Sequence, residues 1–324
     1  MKIVLTGSLG HISKPLAKEL VQKGHQVTVI SSKTERQKEI EALGAKAAIG
    51  SMQDAEFLSK TFVGADIVYL MEPSDPANFI DKNFDVYKAT SEIVNNYKKA
   101  VEKSGVKKVV HLSSIGAHTD KGVGLLRFHY IAESILKELP NDVCIKFMRP
   151  VGFYYNLLMN IEVIKALSKG FIGSIMALQH YGIAGLLSGK RGVIVSNYGG
   201  DVVNLLVSTY DIASVIAEEM EKPFIGRSFR YIASEELTCN EVAKILGEAI
   251  GKPYLKWGTI SDKMLTNTML KRGINEAMVE GLVEMGASGR EGRLYEDYYK
   301  HRPILSKTKL KDYVNEFAEA YNKK

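Results

Sequence analysis

At 324 residues, with 45% hydrophobic and 25% charged residues, the chain has the composition of a water-soluble globular protein long enough for one main domain and a smaller addition. Its formal net charge of +6 is spread among interleaved acids without a long basic run, which argues against a nucleic-acid-binding face. The two cysteines, Cys144 and Cys239, lie far apart with no CxxC or metal-ligand spacing, so neither a disulfide scaffold nor a metal site is expected.

The first elements form a βαβ unit. Lys2-Ile3-Val4-Leu5-Thr6 is a short β-branched run that ends in Gly7-Ser8-Leu9-Gly10. A helix follows, with Ile12, Leu16 and Leu20 on one face, and it stops near Gly24. Gln26 to Ile30 is the second strand. Gly7 and Gly10 allow a tight turn and a close approach of backbone to ligand. The helix behind them aims its unpaired N–H groups and positive dipole end at the same place, which suits a pyrophosphate. The predicted cradle is Gly7, Ser8, Leu9, Gly10, His11 and Ile12. Ser13 replaces the third glycine of the usual fingerprint; it is small, so the helix is expected to dock slightly further out without loss of binding.

The tip of the second strand sets which dinucleotide is bound. An acid there would bond the ribose hydroxyls of NAD and repel a 2′-phosphate. Here the strand runs into Ser31, Ser32, Lys33 and Arg36 with no acid at the tip, which favours NADP(H) over NAD(H).

A helix from Arg36 to about Leu43 and a strand from Gly44 to Ile49 come next, then the turn Gly50-Ser51-Met52-Gln53-Asp54. Asp54 is the predicted cap of a helix over 55–62, and an adenine is expected near Ser51 and Met52. Ala65 to Leu70 is a fourth strand ending at Met71-Glu72-Pro73, on the edge where cofactors bind. A long helix centred on 86–101 stops at Gly105. Val106 to Leu112 is a fifth strand running into Ser113-Ser114, Arg127 to Leu139 a helix, and Val143 to Met148 a sixth strand in which Cys144 is expected to be buried. Alternation at this spacing predicts an α/β, doubly wound parallel sheet.

Thr6-Gly7-x-x-Gly10, Gly50-x-x-x-Asp54, Val94-Asn95, His111-Leu112-Ser113-Ser114 and Arg149-Pro150-x-Gly152-Phe153-x-x-Asn156 occur in order. Together they resemble the NmrA-like branch of the atypical short-chain dehydrogenase/reductase superfamily, over most of the chain and most firmly over residues 1–156. The resemblance implies a Rossmann fold, NAD(P) binding and a small C-terminal substrate domain. Some members are quinone or other NADPH-dependent reductases, and others are dinucleotide-binding redox sensors that act through protein partners. Many relatives have Arg after the second strand and Asp after the Gly50 position; here Ser32-Lys33 and Ser51 stand there.

Ordinary members of the superfamily carry Tyr-x-x-x-Lys on the helix after the fifth strand. By the resemblance, His129 and Glu133 occupy those two positions, and Tyr130 lies one residue out of register. A glutamate cannot stabilise a tyrosinate and should raise the pKa of a nearby histidine. The candidates for catalysis are therefore His129, Tyr130, Glu133 and Ser114, with the alternative that His129 and Glu133 only position the nicotinamide ribose. Ser113, Pro150 and Phe153, with Met71 and Glu72, complete the expected cofactor contacts. The aromatics Phe153, Tyr154 and Tyr155 form either a flat slot for a ring substrate or core packing.

Beyond residue 157 the alternation loosens. The expected division is a Rossmann domain over 1–156, with later strands from about 192–232, and a substrate domain interleaved as 157–191 and 233–324. The apolar stretch 171–189 reads as a substrate lid or a homodimer surface and is too polar to span a membrane. Phe229 to Ile232 is a late strand, and Leu310 to Tyr321 a last helix. With a strand from residue 2 no leader is expected, and the cytoplasm is the expected compartment. The expected activity is hydride transfer from NADPH to a small quinone-like or other electron-poor acceptor. The rival is a non-catalytic redox sensor, and a sugar-nucleotide epimerase is disfavoured by the missing Tyr-x-x-x-Lys pair.

Overall fold

The computed structural model describes residues 1–73 and 75–323. The first half alternates as the sequence predicts. β1 (Lys2–Leu5), α1 (Ser13–Gln22) and β2 (Gln26–Ser31) are followed by α2 (Gln37–Ala42), β3 (Lys46–Ile49), α3 (Ala55–Phe62) and β4 (Ile67–Leu70). α4 (Val86–Ser104), β5 (Lys108–Leu112), α5 (Arg127–Leu136) and β6 (Cys144–Pro150) complete it. The caps are those the sequence names. Asp54 accepts hydrogen bonds from the N–H groups of Glu56 and Phe57, and Gly105 ends α4 in the left-handed region at φ 74°.

The second half is more broken. It comprises β7 (Gly152–Phe153), α6 (Asn160–Ala166), α7 (Gly170–Leu187), β8 (Ile194–Ser196), β9 (Val203–Val207), α8 (Thr209–Glu221) and β10 (Arg227–Ile232). Then come β11 (Glu235–Thr238), α9 (Cys239–Ala249), β12 (Trp257–Thr259), α10 (Asp262–Lys271), α11 (Glu276–Arg290), α12 (Glu296–Lys300) and α13 (Leu310–Asn322).

The main sheet has seven strands in the order β10-β6-β5-β4-β1-β2-β3, and all its pairings are parallel. The strand order reverses between β1 and β4, and it is there that an open sheet of this kind leaves a crevice at its carboxyl edge. α1 and α8 pack Leu16, Leu20, Ile212 and Ile216 on one face; α3, α4 and α5 pack Phe62, Tyr97, Val101 and Leu136 on the other. Strands buried on both sides explain the near-continuous apolar runs of β4 and β5. Of the strands within 192–232, β10 joins this sheet, β8 pairs with β12, and β9 pairs with β7 and β11.

A second core gathers Leu157, Ile164, Cys239, Leu246, Trp257 and Phe317. Burial raises the Cys239 thiol to about 12, so it stays protonated. Cys144 is half-buried at the start of β6, more open than the apolar strand pattern led one to expect.

α11 is fixed on the first half at two places. The Asn275 side chain donates to the carbonyls of Asp81 (2.7 Å) and Phe84 (3.2 Å) while capping α11. Gly281 of α11 crosses the turn before α5 so closely that a Cβ on Gly124 would overlap the Gly281 carbonyl.

Candidate active site

The glycine turn has the geometry its sequence implies. Gly7 sits at φ 86°, and a Cβ there would lie 2.6 Å from the Met71 sulfur and 2.8 Å from Ser13 Oγ. Ser8 is the one non-glycine residue at positive φ among those described, at φ 54°. Its hydroxyl donates to Ser31 Oγ (2.9 Å), tying the turn to the tip of β2. Ser13 is buried and donates to the Thr6 carbonyl (3.2 Å), so the serine replaces the third glycine with a bond rather than a gap. α1 begins with no side-chain cap and no acid in its first turn, which leaves its positive end for an anion. These features fit a dinucleotide: backbone at Gly7 to Ile12 for the pyrophosphate, with nothing in the way.

Arg36 leans back over this turn, its Nη1 donating to the Leu9 carbonyl at 3.4 Å. Ser32 and Lys33 are exposed beside it. The sequence reading missed Glu39, which pairs with Lys14 at 2.7 Å and lies 3.8 Å from Arg36. The Lys14 ammonium holds the Glu39 carboxyl below its ordinary range. At the β3 and β4 tips, the Tyr97 hydroxyl donates to the Met71 carbonyl (2.7 Å) and touches the Met52 sulfur (3.0 Å). Ser51 Oγ donates to the Gln53 side chain.

The α5 residues are placed differently from their reading as a pair. Glu133 is fully buried and receives Ser113 Oγ (2.7 Å), Arg149 Nε (2.8 Å) and Arg149 Nη2 (2.7 Å). Burial pushes its carboxyl up, but Arg149 outweighs this and holds it below the ordinary range. Arg149 in turn reaches Asp297 (3.4 Å) and lies 4.3 Å over the Phe229 ring, so it clamps β6 to α5, β10 and α12. Glu133 therefore serves Arg149 and not His129. Burial lowers His129 from its ordinary value to about 4, with Glu72 and Glu133 too weak to reverse it. The expected upward shift does not occur, and His129 is neutral at pH 7. Its Nδ1 is buried without a hydrogen-bond partner, and its ring lies 3.9 Å from that of Phe128. Tyr130 and Ser114 are half-buried.

The histidine that pairs with a carboxylate at this site is His111, which the sequence named only as part of a motif and not as a site residue. His111 on β5 is fully buried and its Nε2 lies 3.0 and 3.2 Å from the two Glu72 oxygens. Burial raises the Glu72 carboxyl, but His111, by charge and hydrogen bond, and then His129 bring it below its ordinary range. A polar ring inside a strand buried on both faces was the available signal, as was the charge of Arg149 in the β6 run.

Glu72 also lines a cavity of about 110 Å³ whose walls include Phe79, Phe84, Leu125, Phe128 and Met278. The two charged residues that line it, Glu72 and Asp75, are both acids. Phe84, Val86 and Met278 are shared with a larger outer cleft of about 790 Å³ between residues 82–87 and α11. The aromatics after β6 divide. Tyr154 is core, donating to Glu235 (2.9 Å), whereas Tyr155 is exposed with its ring 3.9 Å from His11. Pro150 is buried, Phe153 half-buried. Among the described residues no group of three or more His, Cys, Asp or Glu side chains is placed to hold a metal.

Residues 7–139 match the family model described as NAD(P)H-binding. The chain is 21% identical to an NAD(P)H azoreductase of Xenophilus azovorans over 286 residues, 88% of this chain and 86% of that one. Solved structures with the same fold include the triphenylmethane reductase of Citrobacter sp., at TM-score 0.70, 18% identity and 98% and 100% coverage of the two chains. An NADPH-dependent quinone oxidoreductase of Escherichia coli complexed with NADPH superposes at TM-score 0.70 and 18% identity, over 97% and 99%. A nucleoside-diphosphate-sugar epimerase of Staphylococcus aureus also reaches TM-score 0.70, at 16% identity over 97% and 99%.

Proposed function

We propose that the chain, whose residues 7–139 match the family model described as NAD(P)H-binding, belongs to the NmrA-like branch of the atypical short-chain dehydrogenase/reductases and is an NADPH-dependent reductase of small, flat, electron-poor acceptors of the quinone type. The observation that carries this is the cavity beside Glu72, which has aromatic and apolar walls and no basic lining residue. Walls of this kind suit a conjugated ring, and at about 110 Å³ the cavity limits what enters it to a single small ring, while the acids disfavour acceptors bearing a carboxylate or phosphate. The curated azoreductase and the solved quinone and dye reductases point to the same class of acceptor.

Bound NAD(P)H supplies a hydride. The chain's own residues hold it and serve the acceptor. The N–H groups of Gly7 to Ile12 would hold the pyrophosphate, Ser32, Lys33 and Arg36 the 2′-phosphate, and Ser51 and Met52 the adenine. Met71, Ser113, Pro150 and Phe153 would serve the nicotinamide half. Reduction of a quinone also needs a proton. His129, neutral at pH 7, is a poor source, and so is Glu133, locked by Arg149. Glu72 lines the cavity and lies 3.0 Å from His111 Nε2 behind it, and we assign the proton transfer to this hydrogen-bonded pair, with Tyr130 and Ser114 as secondary donors.

The test is to follow NADPH absorbance across neutral quinones, azo dyes and enones, with NADPH and NADH affinities measured by fluorescence. Quinone-dependent oxidation that falls at least tenfold in His111→Asn, with NADPH affinity unchanged, supports the assignment. Tight NADPH binding with no turnover on any acceptor favours the second reading, a dinucleotide sensor, which the engaged Glu133 and the neutral His129 also suit. Tighter NADH than NADPH binding overturns the cofactor preference.

A further inference from the structure

α7 is built inside out. Its inward side is Gly173, Met176, Ala177 and Gly185, small residues apart from one methionine. Its outward side carries Phe171, Ile172, Ile175, Leu178, Ile183 and Leu187, each between 45% and 82% exposed. Positions 171, 172, 175 and 178 fall on one side of the helix, within about 120° of its circumference. A single exposed leucine needs no explanation, but a continuous stripe of large apolar side chains does.

The helix is held in place from behind. Tyr181 donates to the Gly192 carbonyl (2.7 Å), Arg191 to Ser174 Oγ (2.8 Å) and Lys256 to the His180 carbonyl (3.1 Å). The His180 ring packs against Gly258 of β12. The stripe is thus presented rigidly and is not a frayed segment awaiting a place in the core.

By length and composition α7 is apolar enough to cross a membrane, contrary to the sequence expectation, although only 22% of it is buried. Its backbone does not allow a crossing. Gly182 stands at φ 70° and ψ −179°, outside helical geometry, so the regular helix runs from 170 to 181. That is about 18 Å of helix against a hydrocarbon core of about 30 Å.

The charges next to α7 in sequence are of one sign. Between Glu162 and Asp201 the chain has no acid, and it has Lys165, Lys169, Lys190 and Arg191. Lys169 immediately precedes α7, Lys190 and Arg191 follow it, and Lys256 is bonded to it from β12's approach. Arg191 and Lys256 are engaged behind the helix, which leaves the exposed Lys169 and Lys190 at its two ends: a second copy pairing stripe to stripe would bring these lysines together, whereas an anionic lipid surface would meet them with opposite charge.

We propose that α7 is a docking face for an anionic lipid surface, lying in the interface with Phe171, Ile172, Ile175 and Leu178 inserted and the flanking lysines on the headgroups. The full-length protein is tested by co-sedimentation with vesicles of phosphatidylcholine alone and of equal parts phosphatidylcholine and phosphatidylglycerol. Binding to the anionic vesicles only, weakened by added salt, is the expected result. Phe171→Ser/Ile172→Ser/Ile175→Ser removes it, and Lys169→Glu/Lys190→Glu weakens it by about fivefold per charge or more. Both variants keep the wild-type NADPH affinity, because neither touches the glycine turn. The charge variant stands alone as the test if the apolar one folds poorly. Absence of binding to either vesicle overturns the proposal, as does unchanged binding in the charge variant. A protein of twice the chain mass that the apolar variant converts to monomer also overturns it, by assigning the face to a second copy.

Discussion

The glycine turn and the buried charges behind β5 stand at the same carboxyl edge of one sheet, yet they are specified in different ways. The turn is specified by backbone: Gly7 at φ 86°, Ser8 at φ 54°, an uncapped helix start. Its parts are consecutive in the chain. The charges are specified by side chains from β4, β5, α5, β6 and α12, brought together by folding: Glu72 with His111, Glu133 with Ser113 and Arg149, Arg149 with Asp297. A local site can be read from spacing. A site assembled from distant charges can be read only as a set of residues that must each find a partner.

The comparison breaks most visibly at Arg149. Replacing it with methionine leaves the buried Glu133 with only Ser113 and the half-exposed Lys137 ammonium (3.1 Å) as partners, which should destabilise the fold by up to about 3 kcal/mol in urea unfolding. Replacing both residues with apolar ones of similar size should recover most of that loss. The Glu133 carboxyl is held below its ordinary value of 4.5, so its contribution is present above that pH and is lost as pH falls below it. If the single variant unfolds like the wild type, the clamp contributes nothing and Glu133 is free for another role.

At the turn the effect is on binding. Gly7→Ala combines left-handed backbone strain of about 1–3 kcal/mol with a Cβ 2.6 Å from the Met71 sulfur. NADPH affinity by fluorescence should fall at least tenfold. Equal affinity would mean that the cradle lies elsewhere.

Much of the fold was legible because its signals are local. Asp54 and Gly105 mark helix ends by their own chemistry, and the aromatic run Phe229 to Ile232 marks β10 despite its distance from β6. The candidate site was legible where the backbone carries it, at Gly7 to Ile12. Reading His129 and Glu133 as a pair failed for a physical reason. Their i, i+4 spacing places them on one helix face, but whether a carboxylate acts on its helix neighbour or on a guanidinium across the core depends on Arg149, a residue on another strand. α7 was ambiguous for the same reason in reverse: its sequence is apolar on nearly every side, so the pattern does not say which side packs inward.

His129 gives a test in the middle range. Its pKa is lowered from 6.5 to about 4, so between these values the unfolded chain binds more protons than the folded one. Stability should therefore rise with pH through this window, by up to about 1.4 kcal/mol per pH unit from this one group. His118 and His180, also lowered by burial, add to the slope. His129→Gln should flatten it without abolishing it. A slope unchanged in the variant would show that His129 is solvated and able to carry charge near neutral pH, which would return it to the list of proton donors.

The smallest effect bears on the cofactor. The sequence argument for NADP(H) rests on a β2 tip without an acid and on Lys33 and Arg36 beyond it. The fold brings an acid back from α2: Glu39 pairs with Lys14 at 2.7 Å and stands 3.8 Å from Arg36, which itself reaches the Leu9 carbonyl above the turn. A 2′-phosphate at this place must share Arg36 with Glu39 and is repelled by it. All three side chains are well exposed, so the competition is screened and modest. Glu39→Gln should tighten NADPH by about two- to fivefold and leave NADH nearly unchanged, with the difference shrinking as salt is added. Arg36→Gln should do the reverse. If both nucleotides move together in both variants, the basic loop does not read the phosphate, and the preference for NADP(H) loses its physical basis even though the pyrophosphate cradle stands.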